Sequence, residues 1–198
     1  GVDVSDTDEK GVQRITADGV LAAGREHPVD LVIYASGFEV GTEFTRRAGY
    51  EITGRDGVRI SAHWARGMRT LHGIHVHGFP NLYLVQPTQG ANLISNVPSN
   101  LGDAARTIAL TIGHATANGH REVEVTAEAE DAWVELLLSG PGPMLGSPDC
   151  TPGYYNNEGQ PAGPRARLNV GHPHGPAAFF AHIERWRAAS TFEGLAFR

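Results

Sequence analysis

A single cysteine, Cys150, is all the thiol this 198-residue chain carries. An intrachain disulfide is therefore excluded, and a reducing compartment, the cytoplasm, is expected. Long apolar runs are missing too: none approaches the roughly 18 residues that cross a bilayer, and no signal-peptide pattern opens the chain. Positive charge is in deficit, with 16 Lys and Arg against 22 Asp and Glu and a formal net charge of −6. That balance argues against nucleic acid or an anionic membrane as a partner, since either needs a basic patch. Two catalytic signatures are absent, the Gly-x-Ser-x-Gly elbow and the Gly-x-Gly-x-x-Gly phosphate turn. Gly140-Pro141-Gly142-Pro143-Met144-Leu145-Gly146 imitates the latter, but its prolines lack the N–H groups a phosphate would bind. There is no initiator methionine, and strand-like sequence follows Gly1 at once, as expected of a piece of something longer.

What remains is ordinary globular composition, 40% hydrophobic and 19% charged, enough for one sizeable core. The most legible stretch is Asp30-Leu31-Val32-Ile33-Tyr34-Ala35-Ser36-Gly37-Phe38. Its unbroken apolar run predicts a strand buried on both faces, as in a parallel sheet covered by helices, with Gly37 permitting a sharp turn. Ahead of it, Val12–Thr16 and Val20–Ala22 form a predicted hairpin around Ala17-Asp18-Gly19. Residues 41–67 read as an irregular excursion with small β-pieces. Leu82–Val85 is expected to be a second buried strand, followed by a polar loop from Gln86 to Ser99.

Helical spacing of Leu101, Ala104, Ala105, Ile108, Ala109, Ile112 and Ala115 predicts a helix from about Ser99 to Asn118, capped by Ser99 or Asn100 and stopped by Asn118-Gly119. Val123 and Val125 form a short strand-like link. Thr126 caps a second helix with Ala129, Trp133, Leu136 and Leu137 on its apolar face. Residues 140–155 are loop, 167–170 a candidate strand, and Phe179, Phe180, Ile183 and Trp186 mark a final helix.

Ten histidines raise the question of a metal. His75 and His77, expected on one face of a strand, and His172 and His174 share a one-residue gap, but a catalytic zinc wants a third ligand and a nearby carboxylate. No metal is expected. Cys150 has no adjacent base in the sequence to make it a nucleophile.

Several segments together resemble the C-terminal part of class B flavoprotein monooxygenases, of the Baeyer–Villiger type that acts on cyclohexanone, phenylacetone and steroids. They are Asp30 through Tyr34-Ala35-Ser36-Gly37-Phe38, Trp64 through Thr70-Leu71-His72-Gly73, and Gly78-Phe79-Pro80-Asn81-Leu82. Cys150-Thr151-Pro152-Gly153-Tyr154-Tyr155-Asn156-Asn157-Glu158-Gly159 follows, then Trp186-Arg187 with Phe192-Glu193-Gly194-Leu195. The order is the family's, and Ala-Ser-Gly stands where Ala-Thr-Gly is usual.

The resemblance implies an α/β fold, the incomplete C-terminal portion of a two-dinucleotide-binding-domain flavoprotein with C-terminal helices. Residues 1–29 would end the NADPH-binding domain and cross over. Residues 30–198 would be the C-terminal half of the FAD-binding domain, with a cofactor-covering loop near 140–165. The implied activity is insertion of one oxygen from O2 beside a ketone carbonyl through a flavin C4a-peroxide, with FAD and NADPH as cofactors. The alternatives are an N- or S-oxidising relative and a non-catalytic fragment. The implied partners are a ketone, O2 and a missing N-terminal segment that carries both glycine fingerprints. Without that segment the chain is expected to be inactive, and none of its residues is assigned a catalytic role.

The cofactor-binding candidates are Gln86, Pro87, Thr88, Gln89, Asn92, Ser95, Asn96 and Val97, whose loop and helix start are expected to present unpaired N–H groups to the flavin. Tyr154 and Tyr155 replace the family's tryptophan against the nicotinamide cofactor.

Overall fold

The computed structural model of the chain describes residues 1–2, 4–7, 11–35, 44–86, 88–92, 96–141 and 168–198. The chain divides into two compact units, Gly1–Phe38 and Glu39–Arg198.

The first unit is a three-stranded antiparallel meander of β1 (Val12–Ile15), β2 (Gly19–Ala22) and β3 (Arg25–Pro28). The Asp-Gly turn falls where its chemistry demands. Gly19 faces the β3 backbone so closely that a Cβ there would lie 2.1 Å from the His27 carbonyl oxygen. Ala23 and Gly24 both have positive φ, the pattern of a tight primed hairpin turn. The chain thus turns at Ala23-Gly24 directly into β3. The apolar run beyond it is not a buried strand. Residues 31–35 are outside any strand, and Leu31, Ile33 and Tyr34 are 73%, 80% and 77% exposed. A run that is apolar on both sides needs a covering layer on both sides, and the described residues supply neither.

The second unit is mainly helical. Residues 44–63 form the short helices α1 (Phe44–Ala48) and α2 (Ile60–His63), with one 3-10 turn at Arg55–Gly57 between them, where β-pieces were expected. Among the described residues of this stretch, only the Thr53–Arg59 bridge answers to that expectation. Leu82–Val85 is likewise no strand: Tyr83 makes a single bridge to His75 and Val85 is 53% exposed. Leu168–Val170 is not in a strand either. The long helices lie close to their expected places. They are α3 (Val97–Ala117), α4 (Ala127–Leu138) and α5 (Gly175–Ala189), with β4 (Val123–Val125) paired antiparallel to β5 (Leu195–Phe197).

Helix α3 begins two residues early because Asn96, not Ser99 or Asn100, is its cap: the Asn96 side chain accepts from the Ser99 N–H at 3.0 Å. Its buried stripe is Asn100, Ala104, Thr107, Thr111 and Ala115. The two threonines sit there at little cost, since Thr107 and Thr111 donate back to the carbonyls of Asp103 and Thr107. Thr126 caps α4 as expected, accepting from the Ala129 N–H.

The core packs Trp133 and Leu137 of α4 against Phe179, Ile183 and Trp186 of α5, together with Leu71, Val125, Val170 and Phe192. A smaller cluster joins Ile60, Trp64, Val76 and Phe79. Two carboxylates hold residues 55–79 to the strand and helix behind them. Glu124 accepts from the Gly78 N–H and from Arg55 and Arg198. Glu130, 2% exposed, accepts from the His77 N–H at 2.9 Å, from Arg69 at 3.3 Å, and lies 3.1 Å from His63 Nε2. Burial opposes its charge, but His63, the His77 amide and Arg69 together bring its pKa below the usual carboxylate value. No helix among the described residues is long and apolar enough to cross a membrane.

Candidate functional site

The loop that precedes α3 is built on a tight turn. His72 and Gly73 have positive φ, and a Cβ on Gly73 would lie 2.6 Å from the Thr88 carbonyl oxygen. Gln86, Thr88 and Gln89 therefore rest directly on that turn. Gln86 closes the loop on itself. Its Nε2 donates to the carbonyls of Gly73 and Thr88, and its Oε1 accepts from the Thr88 N–H.

Gln89 is the hub. It is fully buried, and every polar group it has is engaged. Oε1 accepts from the Thr70 hydroxyl at 2.6 Å; Nε2 donates to the carbonyls of Met68 and Leu168. The backbone N–H donates to Val170 and the carbonyl accepts from Trp133 Nε1. Thr70 in turn accepts from the Gly73 N–H, so turn, loop and helix α4 are tied through this one residue, by its side chain and its backbone.

The expectation of unpaired loop N–H groups is corrected at two positions. The amides of Thr88 and Gln89 already have acceptors inside the protein, so this half of the loop turns inward. Asn92 and Val97 are half-buried, while Asn96, Pro98 and Ser99 are exposed. Asn92 takes positive φ, and its carbonyl is held by the Asn100 side chain at 2.9 Å. The first turn of α3 carries no acid of its own, at the end where a helix dipole favours negative charge. A cleft beside Asn92 is lined by Ala91, Gly171, His172 and Pro176 among others. Pro87, Ser95, Tyr154 and Tyr155 lie outside the described residues, as do Ser36, Gly37 and Cys150.

The histidines are arranged differently from the strand expected at His75 and His77. Leu71 and His75 close a tight turn, burying His75 against the Tyr83 ring at 5.4 Å. Burial pushes the His75 pKa down to about 3. His77 lies outward of it, its Nδ1 2.9 Å from the Val125 carbonyl oxygen. His72 is also buried, edge-on to Trp133 and Trp186, with its Nε2 3.0 Å from Nε2 of His182. Burial first, then His182 and His75, hold its pKa well below the usual imidazole range. Among the described residues, no three His, Cys, Asp or Glu side chains are grouped to hold a metal ion.

Sequence reasoning missed Glu130 and the inward role of Gln89. The first had a signal: Glu130 is in helical register with Trp133, Val134 and Leu137, so an acid sits on the stripe that faces the core. For Gln89 there was none, because a glutamine in a polar loop looks the same whether it points in or out.

No family model matches the chain. Among curated proteins, it is 42% identical over 196 residues to the FAD-binding monooxygenase hmp7 of Hypomyces subiculosus, covering 96% of this chain and 31% of that one. It is 40% identical over 199 residues to a Baeyer-Villiger monooxygenase of Streptomyces coelicolor, covering 98% and 32% respectively. Among solved structures, the polycyclic ketone monooxygenase from Thermothelomyces thermophila matches with a TM-score of 0.80 at 29% identity, over 98% of this chain and 32% of that one. The chain thus spans about a third of the length of the relatives it matches.

Proposed function

We propose that this chain is the C-terminal, flavin-side portion of a ketone-oxidising Baeyer–Villiger monooxygenase, with part of that enzyme's α/β flavoprotein fold. The full protein uses FAD, NADPH and O2 to place one oxygen beside a ketone carbonyl, giving an ester or lactone. The observation that carries this reading is alignment of 98% of the chain with a Baeyer-Villiger monooxygenase at 40% identity.

Bound FAD supplies the redox chemistry that activates oxygen, and NADPH the hydride. The residues here fit such a group on one count, the acid-free, exposed start of α3. Asn92, Asn96 and Val97 would hold the flavin's anionic edge, where the helix dipole favours negative charge. Gln86, Thr88 and Gln89 fix the loop from behind and keep water out of its interior. Pro87 and Ser95 complete the proposed set, with Tyr154 and Tyr155 toward the nicotinamide. Residues 1–29 are assigned to the end of the NADPH-binding domain and 30–198 to the FAD-binding domain, with 140–165 as a cofactor cover. The remaining partners are a ketone and the rest of the protein, and the proposed location is the cytoplasm.

The test joins the chain to the part of the Streptomyces coelicolor enzyme that it does not match. Ketone-dependent NADPH oxidation is expected, with one atom from isotopically labelled O2 in a lactone or ester product. Label found only in oxidised amines or thioethers, with ketones untouched, would overturn the ketone assignment.

A further inference from the structure

His72, on the turn that carries the loop, is only 4% exposed, and its ring has two nitrogens to satisfy. Nε2 meets Nε2 of His182 at 3.0 Å, a hydrogen bond in which one ring donates and the other accepts. Nδ1 is buried and has no hydrogen-bond partner among the described residues. The two tryptophans edge-on to the ring do not serve it. The Trp133 indole N–H goes to the Gln89 carbonyl and that of Trp186 to the Glu193 carbonyl. A buried ring nitrogen in this position is costly in either tautomer, as an unused acceptor in one and an unused donor in the other.

The same ring forms part of the wall of a cavity under the first half of α3, with Gly90, Asp103 and Ala104 among the other lining residues. The space open to the centre of a water molecule there is about 10 Å³, about what one water needs. Two of the lining residues keep acceptor capacity. Arg187 engages Asp103 through one oxygen, at 2.8 Å, and a carboxylate accepts at both. The Gly90 carbonyl accepts the His172 N–H at 3.0 Å and has a second lone pair. An occupant must therefore donate to these acceptors and either donate to His72 or accept from it. Water does both. An anion would meet the Asp103 carboxylate, and an apolar group would leave Nδ1 unpaired.

We propose that this cavity is a water-binding site, in which one ordered water bonds to His72 Nδ1 and the Asp103 carboxylate, with the Gly90 carbonyl as third partner. The His72–His182 contact ties the turn to α5, and the Asp103–Arg187 pair ties α3 to α5. The water joins the two into one network behind the loop that leads to the start of α3. The site stands whether or not the chain binds a flavin.

The test is NMR of the chain labelled with nitrogen-15 at its histidines, the His72 signals being identified by their loss in His72→Gln. In the parent, the carbon-bound ring protons of His72 should show cross-peaks at the water frequency. Their sign should be opposite in laboratory-frame and rotating-frame spectra, the mark of a held water rather than of proton exchange. Ala104→Val fills the cavity from its wall and should abolish these cross-peaks and shift the His72 Nδ1 resonance. Ala105→Val makes the same change at the adjacent, exposed position and should leave both as in the parent. A parent without water cross-peaks on His72 would overturn the site, and so would a folded Ala104→Val that keeps them. Should Ala104→Val fail to fold, the parent spectrum decides by itself.

Discussion

Removal of the Glu130 carboxylate is the sharpest perturbation the structure allows. The group is almost fully buried and serves three donors: His63, Arg69 and the His77 N–H. Deleting one partner of a buried ionic cluster costs about 3–5 kcal/mol. Here the lower end applies, because Arg69 is 29% exposed and keeps its pair with Asp131. Glu130→Ala should therefore destabilise the chain by about 3 kcal/mol. At roughly 2–4 °C per kcal/mol for a chain of this size, that is a fall of about 6–12 °C, read by tryptophan fluorescence on heating.

The acid limb has a definite sign. A carboxyl whose pKa is lower folded than unfolded contributes stability above its unfolded value, and loses it as pH falls through the folded one. The parent should thus lose melting temperature below about pH 4.5, and Glu130→Gln should lose less over the same interval. An alanine variant melting within about 1 °C of the parent, or a glutamine variant with an unchanged acid limb, would refute the reasoning.

Gln89→Leu leaves the Thr70 hydroxyl and the Met68 and Leu168 carbonyls without their partner, a cost of about 2–4 kcal/mol, visible as a lower urea midpoint at unchanged slope. Gly73→Ala places a Cβ against the Thr88 carbonyl at positive φ and should weaken the fold by more than 1 kcal/mol or so; a neutral result would mean that the turn does not support the loop. Asn96→Ala removes the α3 cap and should cost about 1 kcal/mol, with a matching loss of helicity by circular dichroism. His75 binds its proton less readily folded than unfolded, so stability falls as pH drops from the ordinary imidazole range toward about 3. Its ring should stay neutral by NMR at pH 5, and His75→Leu should flatten part of that slope.

Local chemistry was readable where it is decided locally. Thr126 before an apolar stripe, the Asp18-Gly19 turn and the Trp133 and Ile183 helix faces needed no distant neighbour to be recognised. The Leu31–Tyr34 run failed for the opposite reason: its pattern describes a strand in a sheet that the described residues do not form, so the apolar residues are legible but their burial is not. Helix α3 shows both effects. Its extent followed from spacing, yet the side facing the core is the threonine-bearing one, and Ile112 and Ala105 face out. The polar loop from Gln86 was legible in the sequence, but its orientation depends on Gln89, whose side-chain partners lie up to 79 residues away. The likeness to Baeyer–Villiger monooxygenases therefore rests on the alignment along the chain rather than on free amides at Thr88 and Gln89.

A flavin titration tests the central claim most directly. FAD is added to the chain joined with the remainder of the Streptomyces coelicolor enzyme, with absorbance near the flavin bands followed to saturation. One tightly held flavin per complex is the predicted end point, its affinity lowered by substitutions at Asn96 or Val97 and unaffected by those at the exposed Ala181 and Ala188 of α5. An assembled complex that takes up no flavin, or takes it up with no response to the start of α3, would contradict the account.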